Sequence, residues 1–509
     1  MAKNLATVYS GDLDGVDAKV IDVEVDINVG IHTFNIVGLA DKALNEAKER
    51  VNAALKNSDI KPPNRENRRI TVNLAPADIK KSGSQYDLAI AVGYLSATQQ
   101  IASFETRDKI FLGELALDGG LRPINGALNV AQMAHMQGFK FIFLPKENAN
   151  EAGAIKGITI VPVTSLIEAI EILEGRRMIA PLSPRDFADY RDDAPDFSEI
   201  KGQENVKRAL TIAASGQHNV LLIGPPGVGK SFLARAMAGI LPDLSADEAI
   251  EIAKIWSAAG LRINGLMSNR PFRAPHQTAS MVALIGGGQN PKPGEISLAH
   301  RGILFLDELP GFSKVALEAL RQPMEDGVVH VARAKRSLIF PAKFSLVAAM
   351  NPCPCGYFGD REQDCRCAPY EIAKYLKKIS GPLLDRVDIQ VRVGRVKIDE
   401  LRKKSAGGTV GPAIRARVAA ARAAQTKRFV GRSAAANAEM GSKDVERLVK
   451  FDVSAEAFIG IFDKSKLSPR AYYRILKVAQ TIADLAGTEC VGAEHLAEAF
   501  SYRLKDNEF

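Results

Sequence analysis

Long apolar runs are absent from this sequence. None of its 509 residues lies in a stretch of about 18 consecutive apolar residues, so we predict no membrane-spanning helix. The amino terminus, Met-Ala-Lys-Asn-Leu-Ala, also lacks the apolar segment of a secretory signal peptide. These absences argue against membrane and secreted proteins, and we expect a soluble protein of the cytoplasm.

The chain has a small net charge and few cysteines. The chain has 67 Lys and Arg residues against 59 Asp and Glu residues. The net charge of +8 is compatible with nucleic-acid binding but is spread too thinly to indicate it. Four of the five cysteines fall within residues 353–367, which in a cytoplasmic chain favours a metal site over disulfides. The length exceeds one ordinary core and predicts about two to four domains.

What the sequence does have is a glycine-rich turn between a strand-like run, residues 219–223, and a helix-like run, residues 232–237. The glycines let backbone N–H groups curl around phosphate oxygens, and the helix start adds partial positive charge. In this pattern Lys230 reaches the β- and γ-phosphates and the Ser231 hydroxyl holds Mg²⁺. An ordinary Gly/Pro turn is the alternative. The predicted ATP-binding residues are Gly224, Pro225, Pro226, Gly227, Val228, Gly229, Lys230 and Ser231.

A second nucleotide motif follows about eighty residues later. Residues 302–306 are apolar and predict a buried strand that ends in two carboxylates, Asp307 and Glu308. We expect Asp307 to orient Mg²⁺ and Glu308 to polarise the attacking water. An apolar strand ending in acids is common, but at this distance from a phosphate loop it indicates ATP hydrolysis.

Together with several other blocks, these motifs resemble the magnesium-chelatase-like AAA+ ATPases of the YifB or ComM family. The blocks that match are residues 270–276, 286–288, 293–302, 320–327 and 351–356. Two positions depart from the family pattern: the usual His-His pair is His276-Gln277, and the usual acidic residue after Leu309-Pro310 is Gly311. Neither lies in a nucleotide motif, so they bear on fine specificity rather than on ATPase activity.

The resemblance implies roles for residues outside these motifs. Asn351, at the end of a strand-like run, fits sensor 1, which touches the γ-phosphate or the attacking water. Arg386 fits the arginine finger that completes a neighbouring subunit's site, which requires a ring. A surface pair of Arg386 with Asp385 or Asp388 is the alternative.

Two further residues receive roles in the same way. Arg470 lies near the start of a helix that Ser468 can cap, where AAA+ lids place sensor 2 over the γ-phosphate. Gln203 lies in the segment that packs on the adenine in AAA+ proteins. A plain helix cap is an equally good interpretation of Gln203.

The first third of the chain alternates strand-like and helix-like patterns, such as the strands at residues 20–27, 69–74 and 139–145. Residues 113–117, 120–126 and 142–148 resemble the proteolytic domain of Lon proteases, a fold like domain 2 of ribosomal protein S5. That domain uses a Ser–Lys dyad. Here Gln85 and Leu128 occupy the two positions, and Ser84 is interpreted as a turn serine. The resemblance therefore implies the fold without peptidase activity.

Two insertions are candidates for contact with DNA. Residues 271–294 predict a loop that carries Arg273 and Lys292, and residues 328–344 predict a hairpin with a basic tip. In related ring motors such hairpins line the pore and grip the phosphate backbone. The predicted DNA contacts are Arg333, Lys335 and Arg336, and a solvated hairpin turn is the alternative. A basic helix at residues 413–429 is a solvated face or a second contact.

The clustered cysteines are Cys353, Cys355, Cys365 and Cys367. Four thiolates match a closed, structural Zn²⁺ site, although the two C-x-C pairs differ from the usual C-x-x-C spacing. Free thiols are the alternative. Cys490 is separate and is expected in the core.

We therefore predict an α/β protein with an AAA+ P-loop core built on a parallel sheet. The expected divisions are a Lon-like domain at 1–174, a linker at 175–197, the ATPase core at 198–395 and a helical lid at 396–509. The resemblance implies a homohexameric, helicase-like ATPase on single-stranded or branched DNA that promotes branch migration during natural transformation. The alternative is a motor that remodels a protein partner, as the magnesium-chelatase ATPase subunit does.

Overall fold

The computed structural model describes residues 4–503 apart from 40–43, 45, 66, 79–80, 82, 180–181, 183–193, 262–264, 289–290, 333–336, 361, 403–409, 433 and 465–466. Within these ranges no helix has the length and apolar character that crossing a membrane requires.

The amino-terminal part is a mixed α/β layer. Its elements are β1 (Leu5–Asp14), β2 (Asp17–Val29), β3 (Thr33–Val37), α1 (Ala47–Asn57), β4 (Arg68–Ala75), α2 (Asp87–Ala97), β5 (Lys109–Phe111), β6 (Glu114–Leu115), β7 (Leu121–Arg122), α3 (Ala127–Met136), β8 (Phe141–Pro145), α4 (Ala149–Ala152), β9 (Thr159–Val163) and α5 (Leu166–Leu173). Seven strands pair in the order β3-β4-β2-β1-β5-β8-β9. Alternate side chains of β2 are buried, which confirms the strand predicted from period-two patterning.

The central part is built on a parallel sheet. Its elements are α6 (Glu204–Gly216), β10 (Val220–Ile223), α7 (Lys230–Gly239), α8 (Ala246–Ala259), β11 (Phe272–Arg273), α9 (Met281–Ile285), β12 (Gly286–Gly287), β13 (Lys292–Pro293), α10 (Glu295–Leu298), β14 (Ile303–Leu306), α11 (Lys314–Ala319), α12 (Pro323–Asp326), β15 (Val328–Ala332), β16 (Ser337–Pro341), β17 (Ser345–Met350), α13 (Pro369–Leu376), α14 (Gly381–Leu384) and β18 (Ile389–Arg392). The strand order is β11-β14-β17-β10-β18, and every pairing is parallel. Strands β10, β14 and β17 are buried throughout, as expected when both faces are covered.

The carboxy-terminal part is mainly helical. Its elements are α15 (Ile398–Arg402), α16 (Val410–Arg428), α17 (Ser442–Leu448), β19 (Lys450–Phe451), α18 (Val453–Lys464), α19 (Pro469–Ala486), β20 (Cys490–Val491) and α20 (Ala493–Ser501). Apolar residues of α16 and α19, such as Val418 and Ile482, share one buried cluster with Val220 of the central sheet. The helical part is therefore packed directly on the central sheet.

One predicted loop is more regular than expected. Within residues 271–294 the structure forms the edge strand β11 and the helix α9. Phe272 pairs with Ile303 of β14, and its ring stacks on Phe305 at 5.9 Å between centroids. Pairing with a distant strand fixes this segment, and its own Gly- and Pro-rich sequence does not reveal it.

Candidate active site and metal centre

The glycine-rich turn connects the buried strand β10 to the start of α7. Gly227 and Gly229 take φ values of 80° and 85°, a left-handed conformation that glycine adopts without strain. Apart from the adjacent residues, no atom of the described part of the chain lies within 4 Å of the place a Cβ would occupy at either residue. The helix begins at Lys230, so its first N–H groups face the same open concavity. Such a cradle fits a phosphate chain.

Lys230 lies inside this turn and is 9% exposed. Its Nζ donates to the carbonyl oxygens of Gly224 at 2.7 Å and Pro225 at 2.9 Å, and to Asn351 Oδ1 at 2.9 Å. Burial lowers the pKa of the ammonium, while the charges of Asp307 and Glu308 raise it in part. The structure therefore brings the phosphate-loop lysine and the predicted sensor 1 residue into direct contact.

The two acidic residues meet the turn at the carboxyl edge of the sheet. The Ser231 hydroxyl donates to Asp307 Oδ2 at 2.6 Å. Glu308 follows with a left-handed φ of 50°, and its side chain is exposed. A hydroxyl and a carboxylate beside an open phosphate cradle are the oxygen ligands that Mg²⁺ prefers, so these residues fit the predicted metal and triphosphate.

Gln203 precedes α6 in a left-handed conformation with a φ of 55°. Its side chain does not cap the helix. Instead Nε2 donates to the carbonyl of Gly394 at 3.1 Å and to that of Val228 at 3.4 Å. Its Oε1 is buried and has no hydrogen-bond partner among the residues that the structure describes. An unsatisfied acceptor beside the phosphate loop fits an amino group such as that of adenine.

Arg386 and Arg470 lie at the opposite edge of the sheet. Asn219 and Asp388 immediately precede β10 and β18, and Asn219 Nδ2 donates to the Arg386 carbonyl at 3.0 Å. Arg386 and Arg470 both donate to one carboxylate, that of Glu325. Because β10 is four residues long, about 13 Å of strand separates this edge from the phosphate loop. Neither arginine lies at this chain's own phosphate cradle.

Glu325 is a residue that sequence reasoning missed. It belongs to the family-like block 320–327, which was the one available signal. The alternative pairing of Arg386 with Asp385 or Asp388 is not seen among the described contacts, since Asp388 is bonded to Arg474 and to the backbone N–H of Asn219. Ser468 caps α19 through the N–H of Ala471 at 3.2 Å, as predicted.

The four clustered thiols converge. All four Sγ atoms lie within 4.8 Å of one another. Cys353 Sγ is 3.3 Å from Cys355 Sγ and 3.6 Å from Cys365 Sγ, separations close to the ~3.8 Å edge of a tetrahedral zinc–thiolate centre. Backbone N–H groups of Tyr357 and Arg366 lower the pKa of Cys355 to about 6. The donor set fits Zn²⁺ and closes without an open position.

The cysteine loop also lies against the phosphate loop. A Cβ at Gly356 would be 2.5 Å from Pro226 Cδ, so the two loops are in close contact. Tyr375, which sequence reasoning missed, packs beside them. Burial raises the pKa of its phenol to about 12, and the charges of Cys353 and Glu308 add to that effect. The thiol cluster and the phosphate loop are therefore neighbours.

The basic segments that could contact DNA are of two kinds: the hairpin tip, which lies outside the described residues, and arginines that are paired with carboxylates of this chain. Strands β15 and β16 form the predicted hairpin with five antiparallel pairs, but the tip residues Arg333, Lys335 and Arg336 lie outside the described part of the chain. Arg273 is engaged by Glu295 through two bonds of 2.7 Å. On α16, Arg415 and Arg428 pair with carboxylates from other elements, Asp243 and Asp484, each at 2.5 Å. These three arginines are anchored within the chain.

The Lon-like positions carry no dyad. Gln85 Nε2 donates to Asp12 Oδ1 at 2.9 Å, Leu128 is fully buried among apolar side chains, and the Ser84 hydroxyl donates to Glu114. Burial raises the pKa of Asp12 to about 7. The sequence pattern gave no signal for this buried acid.

The chain is similar to known proteins along nearly its whole length. Three family models match: "Magnesium chelatase, subunit ChlI" over residues 196–401, "Subunit ChlI of Mg-chelatase" over 23–148 and "Magnesium chelatase, subunit ChlI C-terminal" over 410–503. Competence protein ComM of Haemophilus influenzae is 41% identical over 507 residues, which cover 98% of this chain and 97% of that protein. Escherichia coli YifB is 41% identical over 505 residues, or 99% and 98% of the two chains. The magnesium-chelatase 38 kDa subunit of Rhodobacter capsulatus is 30% identical over 175 residues, which cover 31% of this chain and 50% of that subunit.

Proposed function

This chain belongs to the YifB/ComM family of magnesium-chelatase-like AAA+ ATPases, and from that premise we propose that it is a ring-forming, ATP-driven DNA motor. Its task would be branch migration when incoming single-stranded DNA recombines during natural transformation. The name of the Haemophilus relative supports the competence context. The work would be done in the cytoplasm, where ATP and recombining DNA meet.

The observation that carries the ring is the separation of catalytic groups. Lys230, Asp307 and Asn351 lie at the carboxyl edge of the sheet, whereas Arg386 and Arg470 lie at the amino edge. One protomer therefore offers a phosphate cradle on one side and arginines on the other. Repeating that contact around an axis closes a ring in which each arginine pair serves the next protomer. Six protomers are the number that the family resemblance implies.

Within one site each residue has a distinct role. Lys230 and the N–H groups of residues 227–231 hold the β- and γ-phosphates. Mg²⁺, held by Ser231 and Asp307, would neutralise charge on the transferring phosphoryl group. Glu308 polarises the attacking water, and Asn351 orients it from its contact with Lys230. Arg386 of the neighbour stabilises the transition-state charge, and Gln203 faces the adenine.

Two further parts complete the proposal. The thiols of residues 353–367 would hold a structural Zn²⁺, and metal analysis of purified protein tests this. Substoichiometric zinc in protein purified without chelators would remove the site. The tip of the β15–β16 hairpin would grip the phosphate backbone of DNA, which suits a motor without sequence preference.

The test is ATP turnover of the purified protein alone and with single-stranded or forked DNA. We expect strong stimulation by DNA and none of this turnover in Lys230→Ala, while Lys140→Ala, an exposed lysine of the amino-terminal part, behaves as wild type. Turnover indifferent to every DNA would favour the remodelling of a protein partner instead. That second reading rests on the magnesium-chelatase subunit, which matches 31% of this chain.

A paired variant tests the hairpin separately. Replacing Lys335 and Arg336 by Ala should weaken DNA binding and spare basal turnover, because these residues belong to none of the nucleotide motifs in the sequence. Replacing Lys443 and Arg447 of α17, both exposed, removes the same charge elsewhere and should leave DNA binding unchanged. Equal DNA affinity in both double variants would remove the hairpin from the interface.

A further inference from the structure

The turn between β1 and β2 lies on the stalk of the β15–β16 hairpin. Val16 at this turn is 9% exposed and belongs to the same buried cluster as Val329 and Phe340 of the hairpin. A Cβ at Gly15 would lie 3.7 Å from the Ile339 carbonyl oxygen and 3.9 Å from Leu338 Cδ2. The amino-terminal part thus contacts β16 of the hairpin directly and shares a buried cluster with β15.

The same turn is bonded to the ATPase core from a second direction. Asn129 of α3, 1% exposed, donates through Nδ2 to the Val16 carbonyl at 2.7 Å and to the Lys254 carbonyl of α8 at 3.0 Å. Lys254 Nζ lies 2.7 Å from Asp17 Oδ1. The turn is therefore held between α8 and the hairpin, and it cannot shift without breaking buried hydrogen bonds.

The hairpin needs such support. Its sheet has two strands, and an isolated two-stranded ribbon is marginally stable in water. Leu338 also lines a cavity of about 370 Å³, whose wall includes Leu13, Asp14 and Gly15 at the turn itself. The stalk and the turn therefore border the same cavity, and their direct contact is confined to its rim.

We propose that the β1–β2 turn is the fixed support against which the hairpin works, with Val16 and Asn129 as positioning residues for the grip on DNA. This rests on the proposed DNA motor. It gives the amino-terminal part, whose Gln85 and Leu128 replace a peptidase dyad, a mechanical role. Force applied at the tip passes through the stalk and the turn into the seven-stranded sheet.

The test replaces Val16 by Asp, which places an unpaired charge in the contact between turn and stalk. The matched control is Val29→Asp at the end of β2, where the side chain is 94% exposed. Hydrogen exchange at residues 328–332 and 337–341 should accelerate by about tenfold or more in Val16→Asp and not in the control. Basal ATP turnover should stay within about twofold of wild type, since Val16 does not contact the nucleotide site. The increase in turnover on adding single-stranded DNA should be lost.

The two measurements separate the contact between turn and hairpin from its effect on DNA-stimulated turnover. If hydrogen exchange at the hairpin is unchanged in Val16→Asp, the turn does not support the hairpin, regardless of the effect of DNA on ATP turnover. Faster exchange with full DNA stimulation overturns the coupling to DNA. A wild-type protein that ignores DNA defeats the proposed function but leaves the exchange arm standing as a test of the contact. If Val16→Asp fails to fold, Val16→Ala and Asn129→Ala carry the same expectations with smaller effects.

Discussion

A single carboxylate organises the arginines that the neighbour would use. Glu325 accepts from both Arg386 and Arg470. Burial raises the pKa of Glu325, but the hydrogen bond from Arg386 and the charges of both arginines overcome this, so that the pKa is lowered overall. We expect Glu325→Gln to lower kcat about tenfold, because the two guanidinium groups lose their shared anchor. Arg386→Ala should cost about a thousandfold.

The matched control for Glu325→Gln is Glu318→Gln on α11, whose carboxylate pairs with Arg321 in the turn that follows this helix and with neither of these arginines. Steady-state kinetics of the assembled protein distinguish the variants. If Glu325→Gln turns over ATP as fast as Glu318→Gln, Glu325 has no part in positioning the arginines.

The buried acid Asp12 predicts a dependence of stability on pH. Its pKa is about 7 in the folded chain against 3.8 for an ordinary Asp, mainly because burial disfavours the charged form. Between these values the folded state binds more protons than the unfolded state, so stability falls as pH rises through this window and is level above it. Asp12→Asn should remove that fall and raise the melting temperature by a few °C at pH 8 relative to wild type, but not at pH 4. Thermal melts at both pH values check this, and an equal shift at both would contradict it.

The two departures from the family pattern, Gln277 and Gly311, lie in contact with each other. A Cβ at Gly311 would lie 1.9 Å from Gln277 Oε1, so the glutamine side chain fills the space that an acidic residue would need. Gly311→Asp alone should destabilise the protein by about 0.5 kcal/mol, because Gly311 is exposed and the end of the Gln277 side chain must turn aside. Adding Gln277→His, which restores the usual pair, should recover most of that loss. Denaturant unfolding of both variants measures the coupling, and additive effects would contradict it.

For individual residues, the sequence predicted the functional groups within a single local motif, but it did not predict side-chain contacts between segments that are distant in the chain. Lys230, Ser231 and Asp307 were predictable because one local pattern defines each motif. The contact of Gln277 with Gly311, and the anchoring of two arginines by Glu325, depend on residues far apart in the chain. No periodicity or spacing reports such a contact.

Among the elements, the cysteine loop has the most direct link to catalysis. It follows Asn351 immediately, and Gly356 lies against Pro226 of the phosphate loop. Loss of the metal centre should let this loop move and so weaken nucleotide binding severalfold. Cys365→Ser, or a zinc-selective chelator in the presence of excess Mg²⁺, should raise the Kd of a fluorescent ATP analogue together with the loss of zinc. Cys490→Ser, in β20 and outside the cluster, should leave the Kd unchanged, and loss of zinc with an unchanged Kd would contradict the link.

Elements with a strong internal pattern were predicted well. The alternating strand β2, the hairpin β15–β16 and the capped start of α19 each form where their residues indicate. The edge strand β11 was taken for loop, because two residues carry no period and only pairing with β14 makes them a strand.

For the whole molecule, the separation of Lys230 from Arg386 predicts complementation. Neither Lys230→Ala nor Arg386→Ala alone should turn over ATP, because in a ring of identical protomers each substitution removes one required group from every site. Mixed in equal amounts and allowed to exchange, they should regain about a quarter of wild-type turnover, because random neighbours place an intact cradle beside an intact arginine at about one contact in four. Lys230→Ala mixed with itself is the baseline. Assembled mixtures that stay inactive would mean that both residues act within one protomer.

Domain-level resemblance anticipated the α/β architecture and the helical end, whereas the joint between the amino-terminal part and the hairpin could not be read from the sequence. No sequence pattern distinguishes Val16 from other turn residues. In the fold its carbonyl accepts from Asn129, which also bonds to Lys254, and its side chain shares a buried cluster with Phe340. Such a joint depends on how two separately patterned units meet, and neither pattern contains that information.

In the proposed ring, the nucleotide groups at one edge of the parallel sheet would face the arginines at the opposite edge of the next protomer. Such head-to-tail contacts repeat in one rotational sense, and a twofold axis perpendicular to the ring axis cannot relate neighbouring protomers. The two faces of that ring would be chemically different, so a DNA strand passing through the pore would meet every hairpin in the same orientation.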